Sequence, residues 1–480
     1  MTDSSIGSNK GLQIHHAFPT RMNLQSLAPD IVEELVSYLP SPDALRLSMT
    51  AHGFRSIAKR RALAEVRLRS TERATVFCKY MLTDIPDRLR WLRQLEIHLG
   101  TFYEERISLA IPGLVRVLAH APALRSLTFD DAEVMLESGI LAAAVRMLTT
   151  LEELNLRKYG LLSVSTVRRL SSNLRKLGLT SMLLPRRDVV LNMLLCPAPE
   201  DLTDDDQADE RWKSIEELEL DVACPADSIR TIPHEEIVQS FPNLRRLHFT
   251  VTEAPEEEDV RMRPAGRAGW PHLDRLTGTP ASLGGFNGPV KCLWFTQETP
   301  ENLLEQGIAV VRHLDPVMLS VTIHPLPDTR FWNQLAENSN RLRYLRIELA
   351  NAGKEVVELD EWRAHVPAAL GRLVDIVCAT VVITDVQSGA LFLPIGDVIA
   401  QELATHVHSL RYVCIQAGSI PEEEEEWYGK VNWWRVAGSA KQRRVERVTT
   451  GLGAYVEKYL TSDKFERTLS LDDRRLFPDA

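Results

Sequence analysis

The sequence predicts an α/β protein: a small N-terminal bundle of three helices, then an irregular, open solenoid of parallel strands with helices between them. Three observations carry this reading. A short pattern, apolar-x-x-apolar-x-apolar, recurs along the chain. Stretches with helical spacing lie between its copies, so strand and helix alternate at a near-fixed period. One compact stretch near the N-terminus has helical spacing and different punctuation.

The repeated pattern is read as "LRQLEI" from Leu92, "LRSLTF" from Leu124, "LEELNL" from Leu151, "LRKLGL" from Leu174, "IEELEL" from Ile215 and "LRRLHF" from Leu244. Weaker copies are "VKCLWF" from Val290, "MLSVTI" from Met318, "LRYLRI" from Leu342 and "LRYVCI" from Leu410. The closing apolar-x-apolar pair alternates with period two, which is the signature of a half-buried strand, and the first apolar residue turns in from the preceding loop. Between copies lie helical patterns at 132–148, 234–241, 300–314 and 396–410. The long gap after Leu174 holds the acidic stretch "PEDLTDDDQADER", a loop insertion.

Composition narrows the function classes. The formal net charge of −10 argues against a general binder of phosphate backbones, so no nucleic-acid partner is expected. No apolar run reaches the length of a membrane span, and the first twenty residues lack the apolar core of a secretory signal. The six cysteines are scattered singly without C-x-x-C or zinc spacing, which suits reduced thiols in the cytoplasm or nucleus and gives no metal or cofactor. Phosphate-loop, nucleophile-elbow and zinc-protease motifs are missing, so no catalytic residue is assigned.

The stretch "NLQSLAPDIVEELVSYLPSPDALRLSMTAHGF", residues 23–54, reads as follows. Pro29 opens a helix, with Asp30, Glu33 and Glu34 near its positive end. Ile31, Leu35, Tyr38 and Leu39 line an apolar stripe. Ser41 is placed to cap the next helix, Pro42 and Asp43 to start it, and Leu45, Leu47 and Met49 follow. A third pattern runs through Ile57, Leu63 and Val66. So small a unit cannot bury all of this apolar surface, which implies a partner.

With these residues in view, 24–68 resembles an F-box. The Leu27–Pro29 start, the acidic-aliphatic helix, "YL" and Phe54 carry the likeness. The repeats from 88 to 418 resemble long, irregular leucine-rich repeats. The double resemblance implies an F-box protein with a leucine-rich-repeat-like domain. Such a chain would be the non-catalytic substrate-recognition subunit of an Skp-cullin-F-box ubiquitin ligase. Leu27, Pro29, Ile31, Leu35, Leu39, Leu45, Leu47 and Phe54 would then dock an Skp-type adaptor, and through it a cullin-RING ligase. The alternative is a repeat scaffold, or an F-box protein acting outside a ligase.

The implied organisation is a tail at 1–22, the F-box at 23–70, the repeat domain at 71–447, and a C-terminal helix and tail at 448–480. In a solenoid the residues between the apolar strand positions face a protein partner. Arg157, Arg246, Trp294, Tyr344 and Arg346 are the residues of hot-spot type among them and the expected contacts to an unidentified target protein. The run Glu422–Glu426 and the aromatics after it read as a charged loop leading into a final strand that caps the last repeat.

Overall fold

The alternating apolar pairs form strands that all meet in one sheet. In the computed structural model the described residues are 27–50, 52–99, 104–181, 193–195, 212–224, 234–253, 269–298, 304–323, 329–349, 356–384, 392–419, 428–438, 442–469 and 471. The N-terminal tail, the acidic insertion at 199–211, most of the charged stretch 253–269 and the Glu422–Glu426 run lie outside them. The strands are β1 (Glu65–Leu68), β2 (Gln94–Ile97), β3 (Ser126–Phe129), β4 (Glu153–Arg157), β5 (Lys176–Thr180), β6 (Glu217–Cys224), β7 (Arg246–Glu253) and β8 (Leu273–Gly278). They continue as β9 (Val290–Glu298), β10 (Met318–Ile323), β11 (Tyr344–Leu349), β12 (Cys378–Thr384), β13 (Tyr412–Ser419), β14 (Tyr428–Ala437) and β15 (Arg444–Val448). Each strand is bonded to the next in chain order, and the sheet does not close. Pairing is parallel up to β13 and antiparallel at β13–β14 and β14–β15.

The register explains the motif. Leu95, Leu127, Leu154, Leu177, Leu218, Leu247, Leu276 and Leu293 stand in one row across β2–β9. All are buried, together with the first apolar residue of each copy, such as Leu92, Leu124, Leu151 and Leu174. Crossover helices such as Gly139–Arg146 and Phe392–His406 pack on this side and share one continuous core with the row. Burying each such leucine stabilises the fold by roughly 1.5–3 kcal/mol.

Four strands depart from the motif as read from sequence. β1 continues without a break from a helix, so its "LAEVRL" begins inside that helix. β8 ends in Gly278 where the motif has a large apolar residue; a Cβ there would stand 2.1 Å from the Phe249 carbonyl oxygen. β12 carries Ala379 in the leucine row. In β10 the frame also shifts: Leu319 and Val321 align with Leu345 and Ile347, so the copy starts two residues before Met318.

Three helices precede the sheet: α1 (Pro29–Ser37), α2 (Ser41–Thr50) and α3 (Arg55–Ala64). Val32, Val36, Phe54 and Ala58 form their own small core. Ser41 is not a cap. It lies inside the first turn, where the Ala44 amide bonds the Pro40 carbonyl, and its hydroxyl donates to the Glu65 carbonyl at 2.7 Å. Arg61 donates to the Leu39 carbonyl at 3.1 Å and pairs with Glu65. The third helix therefore ends before Val66, which belongs to β1. The 23–70 unit shares that strand with the sheet instead of hanging on a linker.

Phe54 is the largest side chain of the small core, so truncation should leave a void the unit has little other burial to offset. Phe54→Ala is expected to cost about 3 kcal/mol. Hydrogen exchange would show loss of protection confined to 29–64, with the sheet unchanged.

Candidate functional site

Two surfaces carry apolar or charged groups that the fold does not use. The first is the outer side of the N-terminal helices. α1 buries Val32 and Val36, and so turns the neighbouring stripe outward, leaving Ile31 46% and Leu35 47% exposed. On the same helix Tyr38 is 76% exposed, and on α2 Leu45 is 51% and Met49 78% exposed. Pro29 is exposed too, while Leu27, Leu39 and Leu47 are half-buried against the small core. Phe54, expected at this surface, is instead 8% exposed inside that core. Helical spacing produced this distinction: residues 31, 35 and 38 share one side and 32 and 36 another.

The second surface is the side of the sheet opposite the crossover helices. Its central row is continuous: Glu96, Thr128, Asn155, Gly178, Glu219, His248, Thr277, Trp294, Ser320, Arg346, Thr380, Cys414 and Trp433. The N-terminal part is a lattice of opposite charges. Arg67 meets Glu96 at 3.0 Å, Arg157 meets Asp130 at 3.8 Å and Arg246 meets Glu217 at 2.8 Å. His98 lies 3.5 Å from Glu96, and His248 lies 3.8 Å from Glu219.

The C-terminal part is apolar and covered. Helices Thr450–Leu460 and Asp463–Thr468 fold back onto it, burying Val456, Leu460 and Phe465 against Cys292, Met318, Tyr344, Cys378, Tyr412, Cys414 and Trp433. The approach is close: a Cβ at Gly453 would stand 2.1 Å from Trp433 Cγ. Ser462 and Thr449 accept hydrogen bonds from Phe465 N and Leu452 N and so cap the two helices. Tyr344 is fully buried here; its hydroxyl donates to Glu457 at 2.9 Å and also bonds Thr380. The expectation that Tyr344 contacts a target is corrected: its partner is the chain's own C-terminal segment. Burial also pushes the thiols up, Cys292 to about 11 and Cys414 to about 12, and Cys378 well above its usual value.

Of the other expected contacts, Trp294 and Arg346 come together, with the guanidinium 6.0 Å from the ring centre. Arg275, on the strand that the motif does not mark, lies over the same ring at 4.4 Å. Arg246 is two strands away and paired. Arg157 is five strands away, about 24 Å across the sheet at the usual spacing. The aromatics after the Glu422–Glu426 run divide by side. Trp434 joins the main core and donates to Asp397 at 2.9 Å, whereas Trp433 lies under the C-terminal helices.

One ion pair pins the last helix. The Lys291 ammonium, only 8% exposed, lies 2.6 Å from Asp463 and 3.4 Å from Asp274. Burial alone would lower the lysine pKa; its pairing with Asp463 and Asp274 overcomes this and raises it. The hydrogen bond from Lys291 holds the Asp463 carboxyl below its usual value. A depressed carboxylate stabilises the fold above its unfolded pKa and loses that contribution as pH falls through the folded one. Wild type should therefore melt higher than Asp463→Asn at pH 7. The difference should close as pH falls below about 3.9, the usual aspartate value.

Among the described residues no cluster of His, Cys, Asp and Glu could hold a metal ion, and no helix is long and apolar enough to cross a membrane. A comparison with protein-family models found no match, and neither did a comparison with curated proteins.

Proposed function

We propose that the chain is the substrate-recognition subunit of an Skp-cullin-F-box ubiquitin ligase, with the N-terminal helices as the F-box and the sheet as a leucine-rich-repeat-like solenoid. The observation that carries the reading is the outer side of α1 and α2. Ile31, Leu35 and Tyr38 stand exposed on α1 next to the side that holds the small core, and Leu45 and Met49 stand exposed on α2. So much exposed apolar surface on so small a bundle supports a docking role.

The attachment to the sheet supports a receptor. α3 runs straight into β1, and the Arg60 guanidinium lies over Trp91 at 5.1 Å. A rigid joint of this kind holds a target at a fixed distance from the ligase, so that proximity raises its local concentration. The chain itself supplies no chemistry in this reading. Its target-binding surface is the uncovered part of the sheet, β2 to β9, together with the half-buried Arg346 at its border on β11.

The test is capture. The whole chain, incubated with a recombinant Skp-type adaptor and a cullin, should retain both. Retention of neither removes the ligase reading and leaves a repeat scaffold. Retention of adaptor without cullin leaves an F-box protein acting outside a ligase.

A further inference from the structure

Several cations of the uncovered face are paired. Arg67, Arg157 and Arg246 each have a carboxylate partner. Arg275 and Arg346 have none among the described residues. Both guanidiniums lie within 6.0 Å of the Trp294 ring centre, and Arg346 is further held by Gln416 at 3.3 Å. A guanidinium near an aromatic face is attracted to it and still has N–H groups to offer an acceptor. The Trp294 indole nitrogen is buried with no acceptor among the described residues. A chain with a net charge of −10 thus keeps two unmatched cations and an unmatched donor around one aromatic ring. They sit where the open charged lattice ends and the covered apolar part begins.

We infer that Arg275, Trp294 and Arg346 anchor an acidic segment of the target protein, one Asp or Glu carboxylate being held by the two guanidiniums. This rests on the reading of the uncovered face as the target-binding surface. The surroundings favour a single carboxylate over a doubly charged phosphate. Glu348 lies two residues along β11 from Arg346, and Glu457 is bonded to the adjacent Tyr344, so the surplus of positive charge is small. The aromatic and arginine pair is also the composition in which interface energy concentrates.

The probe is fluorescein-labelled octaglutamate, followed by anisotropy with the full chain, beside octalysine and a peptide with one phosphoserine in a glycine-serine background. Octaglutamate should bind best. Arg275→Ala with Arg346→Ala should weaken it by about tenfold or more. Arg125→Ala with Arg175→Ala, which removes the same charge from exposed positions elsewhere, should leave binding within about twofold. No binding of octaglutamate, equal loss in both double variants, or preference for the phosphopeptide or octalysine would each overturn the anchor. Adaptor capture by the same preparations separates the two readings. Capture with no octaglutamate binding sinks the anchor alone; octaglutamate binding without capture sinks the ligase and keeps the anchor.

Discussion

Aspartate at both Ile31 and Leu35 should abolish capture of the Skp-type adaptor while the sheet melts at its wild-type temperature. Both side chains are about half exposed, so they contribute little to the core that Val32, Val36, Phe54 and Ala58 build along the neighbouring stripe of α1. Their replacement leaves that core intact. At a docked interface the same two residues would be desolvated anchors, each worth about 2 kcal/mol or more. Together they exceed about 4 kcal/mol, which is roughly a thousandfold in affinity. A buried, unpaired carboxylate adds to the loss. Isothermal titration of the adaptor into the double variant reads this directly. Normal binding would place the interface elsewhere. The matching control is Val32→Asp, which puts a charge into the small core and should unfold the unit and end capture together. The pair of variants thus separates loss of a contact from loss of a fold, a distinction that Leu27 is unable to make because it is half-buried against the same core.

The sheet was legible because its chemistry repeats. Each motif copy states twice which residues face inward, and the register bears this out from Leu95 to Leu293. The side chains between them were equally legible as to side, since alternation in a strand leaves no other choice. Cover was not. Cys292, Met318, Tyr344, Cys378 and Tyr412 occupy the positions that hold Gln94, Ser126 and Glu153 in earlier strands. That change from polar to apolar in one row marks strands buried on both sides. Taken singly, Tyr344 looks like a hot spot; taken with its neighbours in register, it is the floor of a second core. Arg275 was missed for a related reason: Gly278 breaks the motif at β8, and the strand disappears from a search for large apolar pairs. In α1 the helical period predicted a stripe but not which of two adjacent stripes the unit would bury, because both are apolar.

Detaching the C-terminal helices should make the cysteines beneath them reactive. Phe465 is fully buried in the second core, stacked edge-on to Tyr459 at 5.8 Å between centroids. Phe465→Asp removes that burial and places a charge there, at a cost of about 3–5 kcal/mol for the lost ring alone. The opening equilibrium of the pair should then rise by at least about a hundredfold. Cys378 and Cys414 are fully buried and their thiols are held neutral far above neutral pH. Once uncovered they would return toward the usual value of about 8.5 and alkylate as thiolates at pH 8. Cys78 is the internal reference. It is buried in the main core, on the other side of the sheet, with its thiol raised to about 11 by burial. Alkylation mapped by peptide mass should show Cys292, Cys378 and Cys414 accelerating at least tenfold in the variant while Cys78 stays protected. Acceleration of all four together would mean that the helices and the sheet unfold as one unit. No acceleration would mean that Val456, Leu460 and the Lys291–Asp463 pair hold the cover without Phe465. The expected outcome follows from where the contacts lie: among the described residues the helix pair meets the sheet through the second core and a few polar bonds, whereas Cys78 belongs to the continuous core on the other side, which the crossover helices share.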